Sequence, residues 1–307
     1  MKAIQYTGYG ESDVLHLNEI EKPVPKENEV LIHISATTVN PLDMKIRAGI
    51  VKDELPVKEF PYTPGMDVAG SIEETGSNVT RFKAGDLVYA LNNGGTYAEY
   101  VSVNEGQVAF IPQNLTINEA AALVMPLSTA YTFLVAEAHL QTGQKVLIQG
   151  AAGSVGQAMV QMAKELGAYV IGTASGKGVE LLRSLGIDEA IDHKKQDFTK
   201  LVKDADLVID LVGGETEKKS YSVLRKGGLL LSAAMPLTEG LAQKYGVSAR
   251  FAHTIPDAKQ LEFGKEMVEN GIITPNIVKL MKLEDAAAAQ NLVSAGGQNG
   301  KIVLTVN

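Results

Sequence analysis

Lys145–Gly167, KVLIQGAAGSVGQAMVQMAKELG, is the stretch on which the fold turns. Lys145–Gln149 reads as a strand. From Ser154 the apolar residues recur at helical spacing as far as Leu166, so GAAGSVG, residues 150–156, falls in a strand-to-helix turn. A diphosphate bound at such a turn needs a main chain that it can approach closely and unpaired amides at the head of the helix. Gly153 would allow the approach and Gly156 would let the helix pack tightly on the strand. Ala152, Gly153, Ser154, Val155 and Gly156 are the candidate diphosphate-binding residues. Against the template G-x-G-x-x-G, Ala151 replaces the first glycine, a mild change. Glycines also end strands for steric reasons alone. The context favours a dinucleotide, because a second strand, YVIGT, follows within a unit of about 30 residues.

About 20 residues past such a turn stands the side chain that meets the adenosine ribose. An acid there hydrogen-bonds a free 2′-hydroxyl and repels a 2′-phosphate. In IGTASGK, Ile171–Lys177, that place holds Ser175, with Lys177 two residues later. A hydroxyl and an ammonium suit a phosphate dianion, which points to NADPH over NADH; the alternative is a polar loop opening the next helix. His193, after the following strand, could stand beside the adenine or the phosphate, or be a plain surface residue. VIDLVGG (208–214) and LLLSAAMP (229–236) end later strands, where ligands of parallel sheets collect.

Outward from this unit the rhythm differs on the two sides. Up to about Leu115 short alternating segments such as EVLIHISATTV and DLVYAL are broken by Gly, Pro and Asn, which predicts a mostly antiparallel β domain. From about Thr116 apolar strands alternate with amphipathic helices, which predicts βαβ units on a parallel sheet. The terminal run LEDAAAAQNLVSAGGQNGKIVLTVN supplies a helix and a closing strand, expected to rejoin the first domain.

At 307 residues the chain exceeds the roughly 250–300 at which one core stops growing, so two domains are expected. Its charge of −8, with no dense basic run, excludes a nucleic-acid tracking surface. The first residues lack the apolar core of a signal peptide, and a cytoplasmic protein is expected. With no cysteine and five scattered histidines, neither thiolate chemistry nor a transition-metal cluster is expected. None of the ten tyrosines has a lysine four positions later, and no serine sits in G-x-S-x-G. Metal-free redox chemistry on a nicotinamide is what remains.

Over nearly its whole length the chain resembles the zinc-independent quinone oxidoreductases of the medium-chain dehydrogenase/reductase superfamily. The resemblance is carried by VNPLDMKIRAG (39–49), PGMDVAGSIEETGSNVTRFKAGDLVYA (64–90), YAEYV (97–101), LSTAYTFL (127–134), GAAGSVG and the terminal GKIVLTV. It implies an α/β protein: a GroES-like catalytic domain from 1–115 and 256–307, a Rossmann NADP-binding domain from 116–255, a coenzyme in the cleft between them, and a homodimer. Zinc-dependent relatives carry a cysteine near the position of Asn40 and a His-Glu pair where this chain has Met66-Asp67. They also often insert a four-cysteine loop where this chain passes straight from DLVYAL to NNGGTYAEYV. The resemblance places Asn40 and Thr129 beside the nicotinamide and Val212 and Met235 near the same end. Lys45 stands where the family often has tyrosine; it could donate to the reduced oxygen or point into solvent.

The expected activity is therefore NADPH-dependent reduction of a small-molecule quinone or α,β-unsaturated carbonyl. An enoyl or alkenal reductase on the same scaffold and a non-catalytic NADPH-binding sensor are the alternatives.

Overall fold

The computed structural model describes residues 1–234 and 236–306. The chain divides into two compact units, Met1–Met125 with Pro256–Glu269 and Pro275–Asn307, and Pro126–Ile255 with Asn270–Thr274.

In the first unit β1 (Lys2–Gln5) and β2 (His16–Glu19) form an antiparallel ribbon. The main sheet is built from β3 (Glu29–Thr38), β4 (Asp67–Thr75), β5 (Leu87–Leu91), β6 (Tyr100–Asn104) and β7 (Val108–Phe110). Two strands near the chain end, β14 (Ile277–Lys282) and β15 (Lys301–Thr305), join it. The order is β14-β15-β3-β4-β5-β7, with β6 also on β3. β3 is rich in β-branched residues and carries Val30, Ile32 and Ile34 into a core shared with Val68, Ile72, Val88 and Leu304.

The register around β3 places the polar residues at its carboxyl end. Ala36 pairs with Ala69 of β4 and Val303 of β15 pairs with Thr38, both antiparallel. Continued two residues along each strand, these pairings set Thr38 opposite Asp67 and Asn40 opposite Lys301. The side-chain period of two keeps all four on one face. α1 (Pro41–Arg47) then begins, with proline at its first position, where no amide hydrogen is needed.

α2 (Ile117–Ala130) runs on into a π-helical turn, Tyr131–Glu137. This 21-residue helix is apolar enough to cross a membrane by composition, but 72% of its most apolar window is buried inside the fold, as in a core helix.

The second unit is a six-stranded parallel sheet of β8 (Lys145–Gln149), β9 (Tyr169–Ala174), β10 (Glu189–Asp192), β11 (Ala205–Asp210), β12 (Leu224–Ser232) and β13 (Ser248–Phe251). The order is β10-β9-β8-β11-β12-β13. This is a doubly wound, Rossmann arrangement, and its direction of winding reverses between β8 and β11. α3 (Ser154–Glu165) follows β8 and α4 (Lys177–Ser184) follows β9.

The closeness of α3 to its strand rests on one residue. A Cβ built on Gly156 would lie 2.6 Å from Ala151 Cα, Ala151 O and Gly150 O, all main-chain atoms. Gly156→Ala is accordingly expected to cost about 2 kcal/mol, read as a lower urea midpoint with an unchanged slope.

Candidate functional site

In the second unit the turn after β8 is held by its own hydrogen bonds. Gly150 takes φ +75°, the left-handed region, so the glycine that lets the chain turn stands one residue before the template position, and Ala151 is tolerated there. Gly150 N donates to Thr173 Oγ1 (3.2 Å), Ala151 N to Thr173 O (3.0 Å) and Gly153 N to Gly150 O (3.1 Å). Thr173 Oγ1 donates to Gln149 Oε1 at 2.7 Å, and Gln157 Nε2 to Ala152 O at 2.7 Å.

What remains are the amides of Ser154, Val155 and Gly156. They form the first turn of α3 and so have no acceptor within the helix. Gly153 precedes them in an ordinary extended conformation, φ −69°, and a Cβ there would approach nothing closer than Gly150 O at 3.5 Å. Nothing in the protein itself requires glycine at 153. Its exposed position in front of the helix leaves the space a phosphate would fill, and these residues fit the diphosphate of a dinucleotide.

At the ends of the neighbouring strands, Ser175 is half-buried while Lys177 and His193 are exposed. Asp192 of β10 is in register with Ala174 of β9, and His193 N donates to Ala174 O at 3.0 Å, which brings His193 beside the segment holding Ser175 and Lys177. The carboxylate at the end of β10, Asp192, accepts from Lys194 N (3.1 Å) and pairs with Lys195 Nζ (3.4 Å). Lys194 and Lys195 add positive charge that the sequence reading passed over, although the run DHKKQD displays it.

Val212 also comes to the glycine turn: a Cβ on Gly150 would lie 3.2 Å from Val212 Cγ2. Val212 is 54% exposed. Its turn is fixed by the buried carboxylate of Asp210, which accepts from Val212 N (3.1 Å), Gly213 N (2.9 Å) and Ser232 Oγ (2.8 Å). Thr129 is buried and accepts from Thr254 Oγ1 at 3.2 Å. Met235 lies outside the described residues.

In the first unit Asn40 is 3% exposed, at the junction of β3 and α1. Its Nδ2 donates to Asp67 Oδ2 at 3.0 Å, and its Oδ1 accepts from Lys301 Nζ at 2.5 Å. Lys301 Nζ also donates to Thr38 Oγ1 (2.8 Å) and pairs with Asp67 Oδ2 (3.0 Å), to which the Thr38 hydroxyl donates as well. Lys301 is 3% exposed and Asp67 0%. Lys45 is exposed on α1, and among the described residues no hydrogen bond joins it to this cluster.

Sequence reading missed Lys301 as part of this site. The signal was present: an aspartate inside the apolar run GMDVAG needs a buried partner, and a lysine opening the apolar strand KIVLTV can supply one.

Compared with known proteins, the chain is 32% identical over 327 aligned positions to the quinone oxidoreductase of Pongo abelii, covering 99% of this chain and 97% of that protein. The chain belongs to the quinone oxidoreductase family of the medium-chain dehydrogenases/reductases. Among solved structures, the quinone oxidoreductase from Coxiella burnetii superimposes with a TM-score of 0.92 at 30% identity, covering 100% of this chain and 99% of the other. The 2-methylene-furan-3-one reductase of Solanum lycopersicum is 42% identical over 241 positions, 74% of this chain and 61% of that protein. The alcohol dehydrogenase GroES-like domain family matches residues 26–113 and the zinc-binding dehydrogenase family residues 185–304.

Within the quinone oxidoreductase family this chain's residues do not fit the zinc of that last family name. It has no cysteine, and no group of three His, Asp or Glu among the described residues could hold a metal ion. Asp67 is already bound to an ammonium, and the other donors around it are a neutral amide and a hydroxyl.

Next to this cluster Asp43 Oδ2 accepts from Asn40 N at 2.9 Å. Burial pushes the Asp43 carboxyl up to about 7; the bond from the Asn40 amide opposes this, the Asp67 charge adds to it and the Lys301 charge opposes it. Because its folded value lies above its unfolded one, the stability this group lends is fully present below about pH 4 and is lost as pH rises through 7. Asp43→Asn, which cannot ionise, is expected to gain in Tm over the wild type by several degrees at pH 8, the gain shrinking toward zero at pH 4. Scanning calorimetry at both pH values checks it.

Proposed function

We propose that the protein is a zinc-independent, NADPH-dependent oxidoreductase that reduces quinones or α,β-unsaturated carbonyls by hydride transfer. The observation that carries the reading is Gly153: a residue with no close internal contact to require glycine, in front of three amides with no acceptor within their own helix. The names of the relatives support the acceptor class.

Bound NADPH supplies a hydride from C4 of its nicotinamide ring. The amides of Ser154, Val155 and Gly156 bind its diphosphate, with Ala152 and Gly153 leaving room for it. Ser175 and Lys177 hold the 2′-phosphate, His193 stands alongside, and Ser175 takes the place of the acid that would repel it. Val212 and Thr129 face the nicotinamide end. Quinones and enones accept a hydride with negative charge developing on an oxygen, and one well-placed donor lowers that barrier. Asn40 supplies it: one Nδ2 hydrogen is taken by Asp67 and the other has no acceptor among the described residues. The tomato relative, named for its action on an enone, favours the enone branch as the second reading.

Steady-state oxidation of NADPH and NADH against a panel of quinones and enones tests the proposal, on the wild type and on Lys177→Glu. The wild type is expected to turn over with NADPH, and the variant to lose about tenfold in apparent affinity for NADPH but less than about twofold for NADH. Equal losses would contradict the phosphate assignment. Gly153→Ala is expected to leave Tm within about 2 °C of the wild type while weakening both coenzymes about tenfold, measured by fluorescence titration.

A further inference from the structure

Lys301 reaches its place through strand register. β15 runs antiparallel to β3, and the pairing of Val303 with Thr38 carries Lys301 to the level of Asn40, 261 residues earlier in the chain. There its ammonium meets Thr38 Oγ1 at 2.8 Å, Asn40 Oδ1 at 2.5 Å and Asp67 Oδ2 at 3.0 Å. An ammonium has three N–H donors and no acceptor, so all three protons are committed and none is left for a substrate. Lys301 is therefore no proton donor.

The same geometry decides how Asn40 is oriented. With its amide turned over, the NH2 group would face the ammonium and the carbonyl oxygen would face the carboxylate of Asp67. Both contacts would be repulsive, in surroundings too poorly solvated to screen them. As it stands, Oδ1 faces the cation and one Nδ2 hydrogen faces the anion, so the second Nδ2 hydrogen is left with a single direction.

We propose that Lys301 is a positioning residue for the reduction: its ammonium locks the side-chain amide of Asn40 so that the remaining Nδ2 hydrogen is presented to the oxygen of the acceptor. The inference rests on the reading of Asn40 as the donor to that oxygen. It also explains the disagreement with a zinc site. The positive charge that the buried carboxylate of Asp67 requires is attached to the chain, and it closes the cluster to a metal ion.

Lys301→Met alone would leave Asp67 buried without a counter-charge, so the test also uses the charge-matched pair Lys301→Met with Asp67→Asn. In NADPH-driven quinone reduction the paired variant is expected to lose about tenfold or more in kcat, with the coenzyme Kd changed less than about twofold. Asn40→Ala should cost a similar factor in the wild type and less than about twofold when added to the paired variant, because the amide is already disordered there. Wild-type kcat in the paired variant while Asn40→Ala is impaired, or a full second loss from Asn40→Ala in the paired variant, overturns the proposal.

If Asn40→Ala leaves wild-type turnover unchanged, or the wild type reduces no acceptor, it is the reading of Asn40 that fails. The locking by Lys301 is then decided by the Asn40 side-chain amide pair in a nitrogen–proton correlation spectrum, assigned by its loss in Asn40→Ala. A pair resolved from the bulk asparagine signals in the wild type and collapsed onto them in the paired variant supports the locking; a pair that does not move overturns it.

Discussion

A carboxylate with no solvent contact has to be matched by donors, and Asp67 imposes that demand on the whole carboxyl end of β3. Its Oδ2 takes a hydroxyl from β3, an amide from the start of α1 and an ammonium from β15. Residues 38–40, Asp67 and Lys301, three segments well separated in the chain, are thereby drawn to one point. Removing any one leaves charge or polarity stranded in the interior, a heavier penalty than the loss of an exposed ion pair. Asp67 Oδ1 already stands buried without a hydrogen-bond partner among the described residues, so the arrangement has no slack on that side. Asp210 in the second unit meets the same demand differently, with two main-chain amides and a hydroxyl and, among the described residues, no salt-bridged cation. One carboxylate fixes a side-chain amide, the other a turn.

The two units differ in how far they could be read before folding was considered. The second is built from local signals: a strand, a glycine turn and a helix within some twenty residues, repeated, so alternation alone indicates a parallel sheet. Even there the left-handed residue is Gly150 and not the template glycine, because turn geometry is settled by φ at one position and several glycines could have supplied it. The strand order, with its reversal between β8 and β11, follows from crossover geometry that the spacing of elements does not reveal. In the first unit the short alternating segments indicate strands but not their neighbours. The Lys301–Asp67 pair spans 234 positions, and only the register of β3 with both β4 and β15 brings it together. A polar residue in an apolar strand announces that it needs a partner, not which one it will find.

Family membership and geometry bear on different parts of the chemistry. The relatives set the acceptor class, while the residues of this chain set the terms on which it could be met: in one unit a glycine turn ahead of the first amides of α3, and in the other a neutral side-chain amide held by a buried ion pair. Such an arrangement suits acceptors that are already electron-poor, since a single hydrogen bond helps an oxygen that gathers charge but cannot do what a Lewis acid does for an alcohol.

On the proposed function, this chain grips a phosphorylated dinucleotide through the head of α3 and the ends of β9 and β10. Equilibrium titration of the wild-type protein with NADPH and with NADH, followed by coenzyme fluorescence, tests it most directly. Saturable binding of NADPH, about tenfold or more tighter than NADH, is the predicted result; no binding of either coenzyme, or a preference for NADH, would contradict it.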